Sequence, residues 1–421
     1  MTQQKKGNLL AIIVMILLFG MISFVTNLAS PMGDVLKNQF GVANWMGTLG
    51  VFANFIAYAV MGIPAGNLLQ KHGYKFTALT AVAVGFTGVG VQTIAGLLSG
   101  NLAFGIYLLG AFIAGFSMCM LNKLAGGGNR GNQLLQIGGS FNSFMGTAVI
   151  FLTGVFVPSI VDAEIKQVFP LMFIALAIFA VAFVVIMFTQ IPESAPQVAT
   201  KSEASKVGPM SFRHFVLGAV AIFIYVGVEV GIPNVLQKWL QNGGLSVESG
   251  AEGIAATVAA TYWLLMLVGR LTGAALGAKV SAKTMLTAVS VLGLGLVLGA
   301  MFLDPANSVN LPVFMGTAGF GIANVPVNAA LLVLCGLCTS VMWGGIFNLA
   351  VEGLGKYTEK ASGIFMALVC GGGILPLLQN YVVDLTGDYL VSYWVIVAGL
   401  ALLLFYALIG SKNVNKDIVT E

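Results

Sequence analysis

Run after run of roughly 20 apolar residues, almost free of internal charge, sets the first limit on what this chain can fold into. The runs fall near 8–30, 45–69, 76–98, 102–122, 134–158 and 168–191. After a polar stretch they resume near 213–239, 254–276, 284–303, 327–351, 360–383 and 390–410. A helix of roughly 20 residues crosses a hydrocarbon core about 30 Å thick. Lipid offers the backbone no hydrogen bonds, so such segments must satisfy their own peptide groups, as helices do. Only 8% of the residues are charged, against about 25% in soluble domains, too few to clothe a water-facing surface. The 54 glycines suit helices that approach one another closely in a bilayer. The expectation is an all-α polytopic membrane protein of twelve spans.

The order is six spans, a polar linker and six more. It predicts an N-terminal six-helix bundle over 1–191, a linker over 192–212 and a C-terminal six-helix bundle over 213–421. Charge tests the count independently, because basic residues collect in cytoplasmic loops. With the N-terminus inside, all of the 19 Lys and Arg residues except Lys37, Lys166 and Lys238 fall inside. Asp34, Asp162, Glu164, Glu248, Glu252, Asp304, Asp384 and Asp388 fall outside. Both termini are therefore expected in the cytoplasm. Lys5 and Lys6 precede an apolar run too long for a signal peptide and without a cleavage motif, so it reads as a retained first helix. The segment 304–326, weakly polar and with three prolines, has no assigned role.

The halves repeat. Gly62, Gly66, Leu69, Leu79, Thr80 and Gly88 recur at one constant offset as Gly269, Gly273, Leu276, Leu286, Thr287 and Gly295. An even number of spans per half gives both copies the same orientation. In transporters built this way the substrate lies between the halves near the midplane. Gly62-Ile-Pro-Ala-Gly66 through Lys71-His-Gly73-Tyr-Lys75 resembles the loop signature of the major facilitator superfamily, with Gln70 near the place of its usual acid. Gly66, Lys71 and Lys75, with Arg270 in the second copy, form an expected gating loop.

A closer resemblance rests on Ser140-Phe141-Asn142-Ser143-Phe144, Tyr225-Val226-Gly227-Val228-Glu229-Val230, Tyr262-Trp263 with Gly269-Arg270, Ile346-Phe347-Asn348-Leu349 through Gly355, and Gly371-Gly372-Gly373-Ile374. Together these resemble the fucose permease branch of that superfamily. The resemblance implies the major facilitator fold, import of a monosaccharide with a proton, and residence in a bacterial cytoplasmic membrane. Ser30, Met120 and Gly139 stand where the branch's fucose–proton symporters carry polar or acidic side chains. Asn27, Asn142 and Glu229 occupy matching positions.

Glu229 is the carboxylate placed well inside a span, where a charge is costly and usually faces an aqueous path. It is the expected proton-coupling group. Tyr225, Pro233 and Gln237 share its helix face at helical spacing. A sugar site is expected from Asn27, Ser30, Gln136, Asn142, Tyr225, Gln237, Trp263, Trp343, Asn348 and Asn380, which offer amides and aromatic rings. No ATP site, metal site or cofactor is expected. Cys335 and Cys338 sit among apolar neighbours, and the run Gly126–Gly131 lacks a phosphate-loop ending. The Gly371–Gly373 run with Pro376 suggests a bend in the eleventh span.

Three functional classes compete. A secondary importer of a small sugar would use proton coupling, with sodium as the other candidate ion. An uncoupled facilitator, or an exporter of another small solute, would not need Glu229 to titrate. The third class is a membrane enzyme or a transporter-like sensor; an enzyme would need clustered bases or ligands where only the histidines His72 and His214 are present, and a sensor would need a soluble output domain. The expected partners are a sugar, a coupling ion and the lipid bilayer, with no nucleic acid, and the chain is expected to act as a monomer.

Overall fold

The computed structural model describes residues 2–124, 131–157, 163–189, 191, 208–245, 251–277, 279–314, 320–415 and 418. The linker expected over 192–212 lies mostly outside them, as do most of the glycine run and the side chains of Asn122, Lys123 and Gln136.

Helices carry the fold. They are α1 (Thr2–Phe40), a single turn α2 (Asn44–Gly47), α3 (Leu49–Ala95), α4 (Gly100–Leu124), α5 (Gly131–Phe156) and α6 (Phe169–Phe188). Then follow α7 (Arg213–Trp239), α8 (Ala251–Leu276) and α9 (Ala282–Phe302). Strands β1 (Ser308–Phe314) and β2 (Phe320–Pro326) come next, then α10 (Val327–Thr339), α11 (Met342–Val351), α12 (Thr358–Leu368), α13 (Gly371–Thr386) and α14 (Trp394–Phe405). Nine helical stretches among the described residues are long and apolar enough to cross a membrane. One of them, α3, holds two crossings: its backbone breaks at Gly73, where φ is 79°. A side chain is strained at such a φ, so glycine marks the turn between the crossings. With α1 and α5, the crossings number twelve, and the chain is a multi-pass membrane protein.

Two spans are broken. The tenth divides into α10 and α11 at residues 340–341, and the eleventh into α12 and α13 at 369–370, just before Gly371. The glycines there admit neighbours. A Cβ on Gly371 would strike the carbonyl oxygen of Phe223 on α7, and one on Gly373 would lie 2.8 Å from Cα of Phe52 on α3.

Within the first six spans α3 packs on α4 and α6, and α1 on α5; within the last six α7 packs on α13, α8 on α10, and α9 on α10 and α14. Across the two groups α5 meets α8, and α3 meets α12 and α13. Gly62 of the expected gating loop lies in one of these seams, where a Cβ would come 2.9 Å from Ala367.

The segment of unassigned role is an antiparallel hairpin, with Ser308 opposite Pro326 and Phe314 opposite Phe320. Val313, Ala323 and Val325 turn inward and are buried, and Ile322 is exposed. Alternate residues face opposite ways, as a strand requires. Asn328 pins the hairpin's exit by donating to the carbonyls of Ala300 (2.7 Å) and Leu303 (2.8 Å). The hairpin marks one end of the molecule, and the α8–α9 turn near Ser281 marks the opposite end.

Candidate functional site

A cavity of about 470 Å³ lies between the two groups of helices. Asn27 of α1, Phe55 and Tyr58 of α3, and Asn142 of α5 line one side. Glu229 of α7, Trp263 and Arg270 of α8, and Trp343 and Asn348 of α11 line the other. Its lining continues past Gly277 to Ser281, Ala282 and Met285, so it opens toward the α8–α9 turn.

An ion pair lies on its wall. Arg270 Nη2 donates to Glu229 Oε1 at 3.3 Å, and both side chains are mostly buried. The other arm of the guanidinium crosses to α5, where Nη1 donates to the carbonyl of Gly139 and to Ser143 Oγ at 3.0 Å. Gly139 leaves room for this approach: a Cβ there would lie 3.2 Å from Nη1. The planar five-donor fork allows one arginine to hold a carboxylate and a distant carbonyl at once. A lone buried charge is costly, and mutual attraction with satisfied hydrogen bonds offsets that cost.

Arg270, which falls inside the expected span 254–276 and was also assigned to the gating loop, lies on α8 six residues before the helix ends at Leu276, about 9 Å along the axis. Of the other gating candidates, Lys71 is exposed, Gly66 is half-buried, and Lys75 Nζ donates to the Met187 carbonyl at 2.9 Å, beside α6 of its own group.

The remaining expected residues divide. Asn27 is buried, donates to the Ser23 carbonyl and Oγ at 2.9 Å each, and lines the cavity with Asn142, Trp263, Trp343 and Asn348. Tyr225 is fully buried and meets Trp343 edge-on, with ring centroids 6.2 Å apart. Ser30 and Gln237 line a second, smaller chamber of about 30 Å³ together with Asn234. Gln136 lies on α5, and its side chain is outside the described ones. Asn380 lines neither chamber. It is fully buried, and its amide is used by protein: Oδ1 accepts from Lys238 (2.8 Å), and Nδ2 donates to Asn234 (3.1 Å) and the Pro376 carbonyl (2.8 Å).

Toward the hairpin end the two groups of helices are closed upon each other. Lys238, expected in an outer loop, is 1% exposed, and its ammonium also donates to Thr48 at 3.0 Å. Asn234 Nδ2 donates to Ser30 Oγ at 3.0 Å. Asp384 accepts from Asn44 Nδ2 (2.7 Å) and from the backbone N–H of Trp45 (2.9 Å). Gly33 and Gly47 bring α1 against α2: a Cβ on Gly47 would lie 2.5 Å from the Gly33 carbonyl oxygen, and one on Gly33 3.2 Å from that of Gly47. His214, also expected in a loop, is buried at the start of α7 with Nε2 2.9 Å from the Glu352 carbonyl.

No family model matches the chain. It is 28% identical over 431 residues to a protein named glucose/galactose transporter from Brucella abortus, covering 98% of this chain and 97% of that one. It is 22% identical over 403 residues to the L-fucose-proton symporter of Escherichia coli, covering 87% of this chain and 86% of the other. Among solved structures, the major facilitator superfamily transporter FucP in its outward conformation superposes with a TM-score of 0.67 at 21% identity, over 96% of this chain and 100% of that one. The chain has the major facilitator fold and is a homologue of proteins named glucose/galactose transporter and L-fucose-proton symporter.

Proposed function

We propose that this protein imports a monosaccharide, or a closely related small sugar, by alternating access with proton coupling at Glu229. The observation that carries the reading is the Glu229–Arg270 pair on the wall of a cavity between two groups of helices. The names of the relatives support the substrate class and the proton. The lining offers what a sugar ring needs. Trp263 and Trp343 present aromatic faces, and Asn27, Asn142 and Asn348 present amides that donate and accept.

The pair supplies the coupling. With Glu229 ionised, Arg270 is held on both sides, and α8 is tied to α5 across the interface. Protonation neutralises the carboxylate and frees one arm of the guanidinium for a sugar hydroxyl or for a rearranged α5. The proton thereby changes the relative stability of the two access states, which is what coupling requires.

In this reading residues 1–191 and 213–421 move as two bodies joined by the linker at 192–212, and the protein works as a monomer. It resides in a bacterial cytoplasmic membrane with both termini in the cytoplasm. The open side of the cavity is then cytoplasmic and the hairpin side external. The role is transport and not catalysis, and the Gly66–Lys75 turn with its lysines is a cytoplasmic gating element. The test is uptake of labelled glucose, galactose and fucose into proteoliposomes, with proton and sodium gradients imposed separately. Accumulation of at least one sugar is expected under an inward proton gradient and not under sodium alone. Failure of every sugar to exchange would refute the substrate class.

A further inference from the structure

We infer that the small chamber beside the main cavity is a subsite for an exocyclic hydroxymethyl group, so that the transporter prefers hexoses bearing a 6-hydroxyl over 6-deoxyhexoses and pentoses. The inference rests on the sugar reading and narrows it. The chamber of about 30 Å³ adjoins the main cavity, because Thr26, Asn27, Val230 and Trp263 line both. It extends toward the closed end, between α1 and α7.

Its size admits one water-sized group and excludes a second ring. Its walls are mixed. Val51, Ile150 and Pro233 give it apolar faces, whereas Ser30, Asn234 and Gln237 are polar. Asn234 is already committed, donating to Ser30 and accepting from Asn380. Gln237 is different. Its side chain is 3% exposed, and its Nε2 has no hydrogen-bond partner among the described residues. A buried N–H without an acceptor is costly, and most such groups find a partner.

A hydroxymethyl group suits this chamber. Its carbon contacts the apolar walls, and its oxygen accepts from Gln237 Nε2. Trp263 stands at the mouth, where a ring lying on its indole would direct one substituent inward. Sites built around a substrate hydroxyl discriminate strongly against the analogue that lacks it, because the protein group is left unpaired.

The test compares purified wild type with Gln237→Leu. Competition binding and proteoliposome exchange are measured for glucose against 6-deoxyglucose and xylose, and for galactose against 6-deoxygalactose. Wild type is expected to prefer the 6-hydroxyl sugars roughly tenfold to a hundredfold, the range set by one unpaired buried donor. In Gln237→Leu the ratio should fall toward one, chiefly through weaker binding of the hydroxylated sugar. Equal affinity of wild type for glucose and 6-deoxyglucose overturns the inference whatever the variant does. So does a variant that weakens both sugars by the same factor. If Gln237→Leu is not monodisperse, the near-isosteric Gln237→Met replaces it with the same expectations. If no sugar binds or moves at all, it is the sugar reading that has failed.

Discussion

Arg270 concentrates more of the chemistry than any other side chain. One guanidinium holds Glu229 on its own group of helices and Gly139 and Ser143 on the other. Arg270→Lys keeps the charge but not the fork, and an ammonium cannot span the same partners. Gradient-driven uptake should fall by about tenfold or more, with the folded protein retained. Arg270→Gln leaves a carboxylate buried without its cation, a loss of about 3–5 kcal/mol when one partner of such a pair is removed. Its thermal unfolding should therefore occur well below that of Arg270→Lys, and fluorescence-detected melting in detergent measures the difference. Glu229 was legible in the sequence because a carboxylate deep inside an apolar run has few explanations. Its partner was not. Arg270 lay inside the expected span 254–276, but the count of basic residues drew it into a loop. Lys238 was misread in the same way. Lys238 neighbours a predicted boundary, and such boundaries are the least certain feature of a hydropathy profile.

At the level of helices, small residues decide which surfaces meet. The α13 glycines lie against α7 and α3, and the carbonyl of Phe223 occupies the space a Cβ on Gly371 would need. Backbone cannot yield as a flexible side chain does, so Gly371→Ala should destabilise the protein by about 1–3 kcal/mol, the usual cost of overpacking. Melting in detergent is the readout. Lys238 acts at the opposite extreme, as a buried cation joining α7 to Thr48 and to Asn380 of α13. Lys238→Met removes both bonds and should shift the population toward opening at the hairpin end. A cysteine placed at Val51, 2% exposed in this state, should then react faster with an impermeant maleimide than it does with Lys238 present. Unchanged labelling would show that Lys238 does not hold this face shut. The spans themselves were readable from hydropathy. The β1–β2 hairpin was not, because Pro312 and glycine interrupt its alternation and its buried face is only a few residues long. Asn380 was read as a sugar ligand because sequence cannot say whether an intramembrane amide faces a cavity or a neighbouring helix.

Among the described residues the molecule is closed at the hairpin end and open at the other. Asp384 of α13 holds Asn44 and Trp45 of α2, and these bonds must break for the opposite access state to form. Paired cysteines at Asn44 and Asp384, whose side chains approach to 2.7 Å, should cross-link under oxidation and stop transport. Reduction should restore it. The repeated glycines at Gly62 and Gly269 serve different contacts: Gly62 abuts Ala367 across the two groups of helices, whereas Gly269 abuts Ser340 within its own group. What the sequence alone could not supply was which side of the molecule is open. The measurement closest to the centre of the mechanism is Glu229→Gln in proteoliposomes, scored for both gradient-driven accumulation and sugar counterflow. Accumulation should vanish while counterflow continues, because the cavity remains but its proton-binding group is gone. Accumulation at the wild-type level would contradict coupling at Glu229.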